Sequence, residues 1–110
     1  MTSNPFRGTW RIIWMDSWEQ DYLDMEVPAY IAFEKNNLGD FQFGLVQGQT
    51  DYRVHGLRVE FTWSGIDEND EVSGRGFAEI AHGELLGHIY IHLGDDSAFR
   101  AVNQAEIKTT

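Results

Sequence analysis

The chain has 110 residues, 42% of them hydrophobic and 14% aromatic, no cysteine and a net charge of −10. That suffices for one globular domain and excludes a disulfide scaffold, a thiolate metal site and, because an acidic field repels phosphate backbones, a nucleic-acid partner. No apolar run approaches the roughly 20 residues of a membrane span, and Met1 to Pro5 lacks a leader's hydrophobic stretch, so a cytoplasmic protein with no membrane partner is expected.

Gly8 to Met15 alternates as a first strand, with Trp10, Ile12 and Trp14 on one face and Arg11, Ile13 and Met15 on the other. Asp16 to Glu26 breaks the alternation: Trp18, Tyr22 and Met25 fall at i, i+4 and i+7, the spacing of one helix face. Asp16 with Glu19, or Ser17 with Gln20, has capping-box spacing, so about two turns of helix are expected. Pro28 suits the opening of a second strand, Ala29 to Glu34, where no ladder N–H is needed. Lys35 to Gly39 reads as a turn and Asp40 to Val46 as a third strand with Phe41, Phe43 and Leu45 together. Gly48 is expected to turn the chain into a short polar strand, Gln49 to Val54, and His55-Gly56 to form a tight hairpin, since glycine takes positive φ without steric cost. Leu57, Val59, Phe61 and Trp63 then alternate with Arg58, Glu60 and Thr62. Asp67 to Asp70 is a polar loop, and Glu71 to Ala81 a strand with Val72, Gly74, Gly76, Ala78 and Ile80 on one face. Beyond His82-Gly83, Leu85, Gly87, Ile89, Ile91 and Leu93 lie opposite Leu86, His88, Tyr90 and His92. Gly94 to Asp96 turns into a last strand, Ser97 to Val102, and 103–110 is expected to be a loose tail.

Eight short strands joined mostly by hairpin-length turns, with no repeat or linker, predict one all-β domain over residues 1–110 with an ordered core at 8–102. The expected architecture is an eight-stranded antiparallel up-and-down (meander) barrel with one short helix between strands 1 and 2. Closure removes both sheet edges, and at this strand number side chains can just fill the interior.

Gly8-Thr9-Trp10 on the first strand, with Arg100 on the last, resembles the signature of the calycin superfamily, the lipocalins and their relatives. The resemblance implies that Trp10 plugs one end of the barrel and that Arg100 packs across it. The helix is similar in position to the portal helices of fatty-acid-binding proteins, with one in place of two. Four segments, Arg7 to Ile12, Gln20 to Asp24, Ser73 to Gly76 and Gly94 to Ser97, also resemble a family of small uncharacterised bacterial proteins. That likeness spans nearly the whole chain and implies no activity.

Several motifs invite chemistry and are better read as structure. His88 and His92 share a strand face, but four residues of strand separate their Cα atoms by about 13 Å, too far for one ion. His55 and His82 precede turn glycines. Asp67, Asn69 and Glu71 alternate like calcium ligands, yet Val72 and Ala78 stand where an EF-hand loop needs glycine and glutamate. Ser73-Gly74-Arg75-Gly76 lies inside a strand, so it is no phosphate loop; Gly74, Gly76 and Gly87 instead let the sheet bend sharply or make room for Trp10, Trp14 and Trp63, the alternative being that they leave a cavity. Ser73, His92 and Asp95 can approach one another, but no nucleophile elbow or oxyanion hole accompanies them. A hairpin at His82-Gly83 sets Arg75 opposite Tyr90 and Phe77 opposite His88, which with His92 makes an amphipathic surface patch of interface-rich residue types. No catalytic residue, cofactor or metal is expected. The leading expectation is binding of a small apolar ligand by Trp14, Trp18, Tyr22, Phe43 and Trp63, with the helix as a partial lid. The alternative is a module for a protein partner or a homo-oligomer, its barrel filled by side chains.

Overall fold

The computed structural model describes residues 4–107 and is a closed barrel of eight antiparallel strands in chain order, β1 pairing with β8. The elements are β1 (Gly8–Met15), α1 (Gln20–Leu23), β2 (Tyr30–Phe33), a 3-10 turn (Lys35–Asn37), β3 (Leu38–Phe43), β4 (Val46–His55), β5 (Arg58–Asp67), β6 (Asp70–Ala81), β7 (Glu84–Ile91), β8 (Asp96–Asn103) and α2 (Gln104–Ile107). The all-β meander with a helix between β1 and β2 is as the alternation predicted. Two-residue turns set the registers of the long hairpins. At His82-Gly83 both φ angles are positive, +54° and +79°, the turn geometry that matches strand twist.

Four local expectations are corrected. The chain turns at Gly44-Leu45, where Gly44 has φ +58°, and not at Gly48, which lies inside β4 and faces inward. A Cβ at Gly48 would stand 2.5 Å from the Phe41 ring and 2.8 Å from Trp63, so this glycine provides space for aromatics. Leu57 and Leu93 are exposed because each occupies a turn beyond the ladder. The register of β1 on β8 shifts between Ile12 and Trp14, so Met15 takes the next inward position and Trp14 is left outside, 43% exposed. A bulge of this kind inserts a residue and re-aims the side chain that follows. At the far end, Asn103 belongs to β8 and 104–107 form a helical turn, where a loose tail was expected; 108–110 lie outside the described residues.

The expected helix is one turn, ending where Asp24 leaves helical geometry at ψ 12°. Leu23 is therefore its buried residue and Met25 is 53% exposed. No side chain caps its start: Asp16 instead accepts hydrogen bonds from the Ser97 hydroxyl (2.8 Å) and the Ala98 N–H (3.0 Å) on β8. Arg11 on β1 holds the segment after the helix by a two-pronged contact with the Asp24 carboxylate, 3.0 Å on each arm. Asp24 also accepts from Gln20 and from the Ala29 N–H. Order in so short a helix comes from this docking, since an isolated turn does not hold itself.

The end-plug expected of Arg100 is not formed. Phe99 and Ala101 are the inward residues of β8, so alternation turns Arg100 out, where its guanidinium binds Glu84 on β7 at 2.9 Å. Trp10 is buried, but its indole N–H donates to the Phe6 carbonyl at 2.9 Å. Phe6 covers this end, edge-on to Phe33, which is edge-on to Tyr52 in turn. The Tyr52 hydroxyl donates to the Glu34 carbonyl and accepts from the Asn4 amide.

Candidate functional site

Two regions were singled out by the sequence, the barrel interior and the outer face of β5–β7. The interior is occupied. Phe41 stacks with Phe43 at 5.8 Å and meets Trp63 edge-on at 5.0 Å, while Phe33 joins Phe61 at 6.4 Å. Inward glycines seat these rings: an added Cβ would lie 2.4 Å from Phe61 at Gly76, 2.7 Å from Phe99 at Gly87 and 2.9 Å from the Trp63 nitrogen at Gly74. The missing side chains are thus filled by Phe61, Phe99 and Trp63, and neither Trp10 nor Trp14 is what these glycines admit.

The five residues expected to line an internal ligand site divide accordingly. Trp18 packs on Phe43 at 5.1 Å and on Tyr22 at 6.2 Å, closing the helix-bearing end. The Tyr22 ring also fills the space beside Gly44, and its hydroxyl accepts from the Leu45 N–H. Trp63 lies deeper and donates to the Tyr90 carbonyl at 3.2 Å. Trp14 is outside the barrel, where it lines a surface groove with Trp18.

The outer patch is assembled as its pairing predicts. Arg75 sits opposite Tyr90 and Phe77 opposite His88 across β6 and β7, with Thr62 and Glu60 beside them on β5. The rings form a continuous row: Phe77 stacks on His88 at 6.3 Å with 13° between planes, and His88 on Tyr90 at 4.5 Å. Each end carries a cation, Arg58 over Phe77 at 4.2 Å and Arg75 over Tyr90 at 4.1 Å. Arg58 was missed in the sequence, although the register announces it: Arg58 faces Glu79, which makes Phe77 its diagonal neighbour on the same face. His92 lies past the end of β7 and lines a separate groove with Ser73 and Leu93.

Electrostatics distinguish the two arginines. Arg58 binds Glu60 (3.1 Å) and Glu79 (3.0 Å), and these contacts, Glu60 first, raise its pKa further. Arg75 has no carboxylate partner among the described residues and is exposed. His88 meets the Asp96 carboxylate at 2.5 Å. Arg53, His55, Arg58 and Arg75 line a groove of about 520 Å³ beside the row, together with Asp51 and Glu60, which pair with Arg53 and Arg58 and leave Arg75 free of a carboxylate among the described residues. Among the described residues no three His, Asp or Glu side chains gather as a metal site, and no helix is long and apolar enough to cross a membrane. The two-residue turn at Glu68-Asn69 leaves Asp67 and Asp70 as a strand pair.

Fold and site together define a closed meander barrel with an aromatic interior and a cation-flanked ring row on its outer face. Comparison with protein-family models, with curated proteins and with solved structures found no match.

Proposed function

We propose that the protein is a non-catalytic binding module that docks a segment of another protein on the outer face of β5–β7. The observation that carries this reading is the Arg58–Phe77–His88–Tyr90–Arg75 row, whose side chains are already stacked in place. Ordering long side chains on binding costs about 0.5–1.5 kcal/mol each, and groups held beforehand avoid that cost. Arginine and tyrosine are also the types that dominate interface energetics. Arg75 specifies the partner's chemistry: a carboxylate completes its ion pairing while apolar side chains cover Phe77 and Tyr90. The occupied interior supports this reading over an internal apolar guest. A distant relation to the calycins keeps the strand number and Gly8-Thr9-Trp10 as its support, without the arginine.

The test is selection of displayed random peptides on the wild-type protein, followed by binding to Arg75→Ala and Tyr90→Ala. Peptides enriched in Asp or Glu that lose at least tenfold in affinity for both variants support the docking face. Peptides that bind both variants as well as wild type refute it.

A further inference from the structure

A second groove, of about 370 Å³, lies at the helix-bearing end and is lined by Trp14 and Trp18 together with Asp16 and Glu19. We propose that this groove binds an organic cation, an ammonium or methylated ammonium head seated against the indoles and neutralised by Asp16 and Glu19. The groove shares no lining residue with the row on β5–β7.

Four observations carry it. The bulge in β1 turns Trp14 out of the core, which exposes an indole where strict alternation would have buried it. Trp18 is fixed from behind by Phe43 and Tyr22, so the part of its indole lining the groove is held in place. Asp16 is oriented through one oxygen, Oδ1, which takes the Ser97 hydroxyl and the Ala98 N–H; among the described residues its other oxygen has no donor. The bond from Ser97 first, then that from Ala98 and the charge of His88, outweigh desolvation and keep the carboxyl below its usual range and so ionised at neutral pH. Among the described residues no lysine or arginine lines the groove and none stands over either indole; Arg100, opposite Trp14 across β1 and β8, is paired with Glu84.

Chemistry and scale agree with such a ligand. Tryptophan is the strongest aromatic partner for a cation, and methylated ammonium heads are bound where aromatic faces meet a carboxylate. The volume falls in the range of small-molecule sites. A net charge of −10 concentrates cations around the protein. The same head can be a free small molecule or the end of a modified lysine side chain, so both are used as probes.

The experiment follows the indole N–H resonances of the isotopically labelled protein during addition of tetramethylammonium chloride, with sodium chloride at equal ionic strength as the control. The expected result is a saturable shift of the Trp14 and Trp18 signals, with half-saturation below about 10 mM, and little movement of Trp10 and Trp63. In Trp14→Ala the shift of Trp18 is expected to need at least tenfold more ligand. Asp16→Asn is expected to weaken binding severalfold, and Glu19→Gln serves where Asp16→Asn disturbs the fold. A trimethyllysine peptide that binds at the same two indoles tenfold more tightly than tetramethylammonium assigns the site to a protein side chain; equal affinity assigns it to a free cation. Shifts no larger than those in sodium chloride, or unchanged affinity in Trp14→Ala, overturn the proposal.

Discussion

Replacing Gly76 by alanine tests whether the barrel interior is filled. The new methyl would stand 2.4 Å from Phe61 Cζ, 2.7 Å from its Cε1 and 2.7 Å from the His88 carbonyl oxygen. Carbon atoms in contact sit about 3.5–4.0 Å apart, so the Phe61 ring must retreat by roughly 1 Å. It has little room to do so, because Phe33 packs against it at 6.4 Å. Overpacking of this kind costs about 1–3 kcal/mol. Against it stands the stabilisation that alanine brings by restricting the unfolded chain, about 0.4–1 kcal/mol. From the middle of each range the net is a destabilisation of about 1.3 kcal/mol, and at roughly 5 °C per kcal/mol for a domain of this size Tm should fall by about 6 °C. Gly94→Ala is the control, since its added Cβ comes no closer than 3.2 Å to any atom, the nearest being Ile91 Cγ2, and it should shift Tm by less than about 3 °C. Thermal unfolding followed by circular dichroism reads both. An unchanged or raised Tm in Gly76→Ala would mean that the ring has space to move into, and the argument for a filled interior would fail.

Arg100→Ala should cost less than about 1 kcal/mol, as an exposed ion pair does, whereas Phe6→Ala should cost about 3–5 kcal/mol through the cavity left at the barrel end; urea unfolding measures both, and the reverse order would restore the arginine plug. The carboxyls of Asp16 and Asp24 are both held below the ordinary value. For Asp24, desolvation pushes upward and is outweighed by Arg11, the Ala29 N–H and Gln20. A depressed folded pKa gives stability that is complete above the unfolded value and lost as pH falls through the folded one, so stability should decline below about pH 4, and Asp24→Asn should flatten that decline in acid titrations. Solubility should be lowest near the isoelectric point of 4.6 and high at pH 7; equal turbidity at both values would show that charge does not keep the protein dispersed.

The strand order, most of the hairpin turns and the outer pairing were legible because each rests on period-two alternation bounded by turn residues. Two of the misreadings share one cause, that a glycine or a bulge means different things in a strand and in a turn. Gly48 and Gly44 are both near an apolar run, and only the packing of Phe41 and Trp63 decides that the first makes space and the second turns the chain. Trp10, Ile12 and Trp14 read as one face because a bulge leaves no mark in the sequence; in the structure it shows as Met15 buried one place later than alternation puts it. The helix stripe was misread by one residue, since Tyr22 and Leu23 sit side by side and the burial of Leu23 is set by the barrel end beneath it, with its carbonyl accepting the Gly44 N–H at 2.8 Å. Arg100 misled through resemblance, although its own neighbours, Phe99 and Ala101, already assigned it to the outside.

The division of labour between the two faces follows from the same packing. Strands β4, β5 and β6 are the longest in the barrel, at 10, 10 and 12 residues, and each neighbouring pair among them keeps an unbroken register. On their inner side this register brings glycines opposite rings, Gly76 against Phe61 and Gly74 against Trp63. The same regularity fixes the outer side, because every residue that alternates with a seated ring is held at a defined height and spacing. Arg75 and Phe77 flank Gly76, so the close approach that locks Phe61 inside also sets the position of the cation and the ring outside. A substitution that loosens the core at Gly76 should therefore disturb the row on the surface as well. In Gly76→Ala the cross-strand contacts between the side chains of Arg75 and Tyr90 should weaken in nuclear Overhauser spectra even where the protein remains folded. Contacts of wild-type strength in a folded but destabilised variant would show that the two faces are independent, and that the order of the row arises from its own stacking alone.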